Sequence, residues 1–209
     1  MSDPTVPAAP GDEVPIFTLG TVLFPRGVLP LRVFETRYVD MVRERLRAGA
    51  PFGVCRITRG SEVGSAAKHE PVGCLAHIVD WDMPQPGVLS IRAIGGDRFR
   101  VIQSRVDNGL VRARVAPLPA DERIAPPEAL SASVALLRQA IDALSEAGAE
   151  DAPSPIEPPH ELDSAGWVAN RLAELLPLPA ETRQQLMALD DPLQRLARVD
   201  ALLRAMRAS

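Results

Sequence analysis

The chain has 209 residues, of which 46% are hydrophobic and 24% are charged, and this globular composition excludes wholesale disorder. Its net charge of −4 argues against a general nucleic-acid binder, because such proteins usually carry a basic stripe. The opening residues lack the pattern of a signal peptide, and no stretch reaches the ~20 apolar residues of a membrane helix, so we expect a cytoplasmic protein without membrane contact.

Charge and periodicity divide the chain into a tail and two larger parts. Residues 1–13 are rich in proline, alanine and aspartate, which predicts a flexible tail. Residues 14–120 predict a β-rich subdomain, and the first 120 residues carry a net charge of +3. Residues 121–209 carry a net charge of −7 and predict a helical subdomain.

In the β-rich part, short apolar runs recur between glycine and proline turns, a pattern typical of a barrel or a curled sheet. One helix interrupts the strands at about residues 35–48, where apolar residues repeat every four positions. Asn108 and Gly109 predict a tight hairpin turn between the last two strands. The predicted strands are Val14–Phe17, Val28–Leu31, Phe52–Ile57, Val72–Trp81, Val88–Ile94, Phe99–Val106 and Leu110–Leu118.

After residue 120 the apolar period becomes helical and predicts at least three helices over residues 128–206. The first follows an apolar stripe from Leu130 to Leu144, and an acidic, proline-rich loop is expected over Gly148–Pro159. Further helices are predicted to begin near Ser164, at Ala180 and after Asp191, because serine and aspartate are favoured N-cap residues.

No pattern in the chain predicts an active site. The single lysine, Lys68, does not complete a phosphate-binding loop, and its Ser-x-x-Lys spacing from Ser65 lacks the companion motifs of a hydrolase. The three histidines have no partner at metal-ligand spacing, and Cys55 and Cys74 are interpreted as reduced core thiols. We therefore predict no catalytic, cofactor-binding or metal-binding residues, and a binding module rather than an enzyme.

Several segments together resemble the N-terminal, substrate-binding domain of Lon proteases. They are residues 15–25 (PIFTLGTVLFP), 29–38 (LPLRVFETRY), 72–78 (VGCLAHI), 95–101 (GGDRFRV) and 172–178 (LAELLPL). Thr18 and Thr36 depart from the family at positions where proline is common. The similarity extends over residues 14–206 and implies that these residues form one domain.

The resemblance implies an α+β fold, in which a PUA-like β pseudobarrel with one inserted helix is followed by a C-terminal helical bundle. It also implies a non-catalytic module that recognises unfolded or tagged polypeptide, as an adaptor for a protease or chaperone partner. The family's ATPase and peptidase modules have no counterpart in these residues, so ATP is not an expected ligand. The alternative is an RNA-binding PUA-like protein, which the negative net charge and the single lysine disfavour.

Four residues at the start of the first helix are the candidate polypeptide-binding site: Phe34, Glu35, Arg37 and Tyr38. Large apolar and charged groups gather there, and both arginine and aromatic residues are enriched at interface hot spots. The aromatic residues could equally belong to the core. We expect the site to face the cleft between the two subdomains, where extended polypeptide could add to a strand edge. Glu35 is expected to pair with Arg98 or Arg100.

Overall fold

The computed structural model describes residues 13–62, 64, 67–147 and 154–208, and its first half is a curled sheet. In these residues the sheet has seven strands in the order β1-β7-β6-β5-β3-β4, and β2 pairs with β6. Every pairing is antiparallel except that of β1 with β3, which closes a ring. The strands are β1 (Val14–Leu19), β2 (Val28–Val33), β3 (Phe52–Arg59), β4 (Lys68–His69), β5 (Val72–Gln85), β6 (Val88–Asp107) and β7 (Leu110–Pro117). The expected α+β fold with a β pseudobarrel is confirmed.

A single long strand, β6, replaces two of the predicted strands. Gly95 and Gly96, which lie between the predicted strands Val88–Ile94 and Phe99–Val106, stay extended inside β6. A side chain on Gly95 would lie 2.0 Å from the carbonyl oxygen of Phe24, so glycine is required there for close approach of the β1–β2 loop. Two backbone hydrogen bonds fix that approach, from the Arg26 amide to the Gly95 carbonyl (2.6 Å) and from the Gly95 amide to the Gly27 carbonyl (2.9 Å).

The inserted helix, α1 (Thr36–Ala48), lies where the sequence predicts it. It ends at Gly49, whose φ of 58° lies in the left-handed region that favours glycine. The hairpin turn between β6 and β7 is also confirmed, because Asn108 and Gly109 both have positive φ. The inner face of α1 packs into the core of the sheet through Tyr38, Val39, Met41 and Val42.

The second half is helical, as predicted, and shares a core with the sheet. The helices are α2 (Ser131–Ala147), α3 (Ala165–Leu175), α4 (Ala180–Met187) and α5 (Pro192–Ala208), and a 3₁₀ turn, Glu128–Leu130, precedes α2. Ser164 caps α3, since its hydroxyl accepts a bond from the Trp167 amide (3.4 Å). The helices bury their apolar faces together with Val22, Phe24 and Val72 of the β part. Over the described residues, none of the helices has the length and apolar character needed to cross a membrane.

Three charged side chains join the two halves where they meet. Asp121 binds the guanidinium of Arg195 through both carboxylate oxygens and also contacts Arg98 (3.4 Å). Arg195, on α5, is fully buried, and Arg98, on β6, is almost so. Arg98 also donates to the carbonyl oxygens of Met187 (3.0 Å) and Leu189 (2.6 Å), at the end of α4. One carboxylate therefore links the sheet to the last helix.

Replacing Asp121 with alanine should destabilise the protein by about 3–5 kcal/mol, because the buried guanidinium of Arg195 would lose its counter-charge and that of Arg98 would keep only Asp190, at 3.6 Å. The free energy of unfolding in urea measures this loss. Asp163→Ala is the matched control, since Asp163 forms its ion pair with Arg123 in solvent and should leave stability almost unchanged. Equal effects of the two substitutions would contradict the central role of Asp121.

Candidate functional site

A groove of about 190 Å³ lies beside the start of α1. Its walls are mostly apolar, and its polar members are Arg32, Glu35 and Glu62. The apolar lining residues come from β1, from β2 with the residue that follows it, and from α1: Phe17, Leu19, Pro30, Leu31, Val33, Phe34 and Tyr38. Three of the four predicted site residues, Phe34, Glu35 and Tyr38, therefore line one groove.

The strand β2 supplies an open edge to this groove. Along Val28–Val33 it pairs with β6 on one side and has no second strand partner among the residues described. Pro30, which lacks an amide hydrogen, is typical of an edge strand. The residues from Pro30 to Phe34 line the groove, so an extended chain placed there lies next to backbone groups that are not part of the ladder with β6.

Phe34 and Tyr38 have different environments. The Tyr38 side chain is 3% exposed, stacks on Phe17 with ring centroids 3.9 Å apart, and lies within hydrogen-bond distance of the Thr18 hydroxyl (3.2 Å). Tyr38 is thus a core residue that forms part of the groove floor. Phe34 is 56% exposed and is the large apolar side chain that a partner could reach directly.

Arg37 is the predicted site residue that does not line the groove. Its side chain is only 10% exposed and lies over the Tyr38 ring at 4.5 Å. It donates to the Gly109 carbonyl (2.6 Å) in the β6–β7 turn and pairs with Glu35 (3.1 Å). Arg37 therefore holds the start of α1 against the sheet.

Two expectations about this region are wrong. Glu35 does not pair with Arg98, which points instead into the junction with the helices, and among the described residues it makes no ion pair with Arg100. The groove also does not face the cleft between the two halves, because all its lining residues fall within positions 17–62. Periodicity places residues on a helix or strand, but which side chains meet across the sheet depends on its closure.

The cleft between the halves is a separate cavity of about 230 Å³. Its walls are largely apolar, and Glu174 of α3 and Arg183 of α4 supply its charged groups. Burial raises the pKa of Glu174 to about 7, although the guanidinium of Arg171 lies 3.0 Å away and opposes that shift.

Sequence reasoning missed most of the groove. Leu31 belongs to a predicted strand, whereas Leu19 and Val33 lie in the parts of β1 and β2 that extend beyond the predicted bounds. The proline at position 30 is the signal that could have marked β2 as an edge. Glu62 follows β3 and carries no such signal. It reaches the groove because its carboxylate accepts the Gly20 amide (2.5 Å), a contact between segments 42 residues apart.

The described residues offer little for metal or nucleophilic chemistry. Among them no three His, Cys, Asp or Glu side chains converge as metal ligands would. Ser65 is predicted to lie in a loop, and it falls outside the described residues, so that prediction is not tested. Both cysteines are buried free thiols, as the sequence predicts. Burial raises the pKa of Cys55 to about 12 and raises that of Cys74 further, so neither is a thiolate at neutral pH.

Comparison with known proteins relates the chain to Lon proteases. A family model for the ATP-dependent protease La (LON) substrate-binding domain matches residues 13–205. The Lon protease of Paraburkholderia phytofirmans is 30% identical over 185 residues, which are 85% of this chain and 22% of that protein. The chain therefore spans about a fifth of the length of the curated relative that it matches.

Solved structures show the same relationship in three dimensions. The crystal structure of a Lon N-terminal domain protein from Xanthomonas campestris has a TM-score of 0.74 at 36% identity, over 91% of this chain and 98% of that one. The N-terminal domain of a Mycobacterium avium complex Lon protease has a TM-score of 0.62 over 90% of this chain and 96% of that one. At 14% identity, this second match supports the fold alone.

Both thiols should resist alkylation by iodoacetamide at pH 8 in the folded protein and react fully in urea, because each is buried and protonated. Mass spectrometry counts the alkylated residues under each condition. Rapid labelling of either cysteine in the folded state would contradict this burial.

The raised pKa of Glu174 predicts a pH dependence of stability. Folding favours the protonated carboxyl, so its stabilising contribution is full below the ordinary pKa of 4.5 and is lost as the pH rises through about 7. The free energy of unfolding in urea should therefore differ less between pH 5 and pH 8 in the Glu174→Gln variant than in the unmodified chain. An unchanged difference would show that Arg171 keeps Glu174 ionised throughout.

Proposed function

This chain belongs to the ATP-dependent protease La (LON) substrate-binding domain family, and from that premise we propose that it recognises unfolded or tagged polypeptide. The proposed module is non-catalytic and covers residues 13–205. It binds no ATP and acts in the cytoplasm, presenting clients to a separate protease or chaperone. The absence of a phosphate-binding or nucleophile motif in the 209-residue sequence supports this role.

The observation that carries the proposal is the apolar groove with its open strand edge. An extended polypeptide can add to an edge strand, so that backbone hydrogen bonds provide affinity for any sequence. The exposed ring of Phe34 and the half-buried side chain of Leu31 provide preference for apolar segments. Such a site binds polypeptide by its extended form and apolar character, the two properties that unfolding exposes.

Glu35 and Arg37 have a supporting role in this proposal. Their ion pair and the bond from Arg37 to the Gly109 carbonyl fix the first turn of α1 beside the groove. Phe34 immediately precedes that turn, so its ring is presented on a backbone that is held at both α1 and β2. A substitution of Arg37 is expected to act on the shape of the groove rather than by removing a contact to the client.

Phe34→Ser should weaken binding of a fluorescently labelled, permanently unfolded casein by about tenfold, since an exposed aromatic anchor typically contributes at least 1.4 kcal/mol. Fluorescence anisotropy measures the dissociation constant. Met206→Ser is the matched control, because Met206 is also a large exposed apolar side chain but lies on α5, away from the groove.

If both substitutions weaken casein binding equally, or if neither weakens it, the groove is not the binding site. Casein should stay intact during these measurements with and without ATP, and cleavage that depends on the chain would contradict a non-catalytic module. Tight, salt-sensitive binding of RNA, with no affinity for casein, would favour the alternative function.

A further inference from the structure

The long strand β6 leaves two strand edges open, one near each of its ends. Its first part pairs with β5, and the outer edge of β5 from His77 to Gln85 has no further strand partner among the described residues. Its last part, Ile102–Asp107, pairs with β7 on one side, and no described strand lies on the other. Both edges are separate from the groove beside Phe34.

The first edge belongs to a hairpin arm, residues 79–87, that is exposed along its length. Val79, Trp81 and Met83 alternate along it with Asp80 and Asp82. Trp81 is 53% exposed, and no described residue forms an ion pair with either aspartate. The arm thus presents an exposed aromatic side chain flanked by two carboxylates that form no ion pair with a described residue, although Asp80 lies opposite Arg92 in the ladder.

The second edge forms one wall of a groove of about 450 Å³. Its apolar lining includes Val101, Val106 and Val111, and its basic lining consists of Lys68, His69 and Arg105. Arg105 already pairs with Glu13 (2.7 Å) and Asp107 (3.5 Å), whereas no described residue pairs with Lys68. The groove therefore has apolar walls, and Lys68 supplies an uncompensated positive charge at its rim.

We propose that the hairpin arm, residues 79–87, docks in the groove beside Ile102–Asp107 of a second copy of this chain. Charge complementarity selects this occupant, because the arm carries Asp80 and Asp82 and the groove carries Lys68. The apolar side chains match as well, since Trp81 and Met83 of the arm would cover Val101 and Val106. An indole buried in this way removes a large apolar area from water.

Contact between two identical arms is disfavoured. It would place Asp80 and Asp82 of one copy opposite the same carboxylates of the other, and like charges across a strand pair are destabilising. Register shifts between Ile78 and Asp80 and between Asp82 and Gln85 also interrupt a regular ladder, as is common in protected edges. The contact is therefore head-to-tail, and each copy keeps one arm and one groove available for another copy.

The head-to-tail contact is tested by complementation between two variants. Trp81→Lys alters only the arm and Val106→Lys alters only the groove, and both residues are exposed enough for lysine to be tolerated. The unmodified chain should form oligomers that grow with concentration and dissociate in high salt, measured by sedimentation velocity. Each variant alone should sediment as a monomer, and an equimolar mixture should form a heterodimer and nothing larger, because only one arm and one groove remain intact.

Three results would overturn the proposal: a monomeric unmodified chain at millimolar concentration, self-association that survives in either variant, or a mixture that stays monomeric. Circular dichroism confirms that both variants are folded. A casein-binding assay tests the alternative that the arm binds unfolded polypeptide. Loss of casein binding in the Trp81→Lys variant would show that the arm binds polypeptide rather than a second copy of the chain. The groove beside Phe34 is intact in both variants, so this result is independent of the proposed function.

Discussion

The ion cluster of Arg98, Asp121 and Arg195 is the interaction on which the arrangement of the two halves depends. Two guanidinium groups are removed from water, which is costly unless their charges and donors are satisfied. Asp121 supplies a charge shared by both groups, and the other bonds go mostly to backbone carbonyl oxygens at the end of α4, with Asn170 and the Pro119 carbonyl accepting one each. Because these partners come from the sheet, the linker after it and two helices, the cluster is complete only when the halves are docked. Gly166 leaves room for it, since a side chain there would lie 2.5 Å from the Asp121 carboxylate.

A second buried arginine extends this constraint to the β1–β2 loop. Arg171 of α3 donates to the carbonyl oxygens of Arg26 and Pro25 (2.9 Å to the latter), and the same loop is bonded to Gly95 of β6. The loop leads directly into β2, whose edge lines the groove beside Phe34. The helical half therefore holds the strand edge of the groove in place without contributing a side chain to the groove.

In the described part of the sheet, the open edges of β2, β5 and β6 differ in their chemistry. The β2 edge lies in an apolar groove, the β5 edge is apolar and acidic, and the β6 edge is apolar and basic. Open edges are a hazard for a soluble protein unless charge, proline or bulges limit their pairing. Here Pro30, the two aspartates of the arm and the register shifts in β5 supply those limits, so each edge can accept only some partners.

Local signals in the sequence predict most of the elements: the alternating apolar runs, the Asn108–Gly109 turn, the cap at Gly49 and the Ser164 cap of α3. They missed β4 and divided β6 into two strands. The segments quoted above also indicate the Lon substrate-binding domain family, which the family match confirms, whereas Phe34 as a binding residue stays a prediction. The sequence did not predict the contact of Gly95 with the β1–β2 loop or the bond from Arg37 to the Gly109 carbonyl, because both join segments far apart in the chain. Tertiary structure decided these because a groove, a buried ion cluster or an open edge exists only when strands pair in one register, and no local pattern encodes which distant backbone will lie opposite.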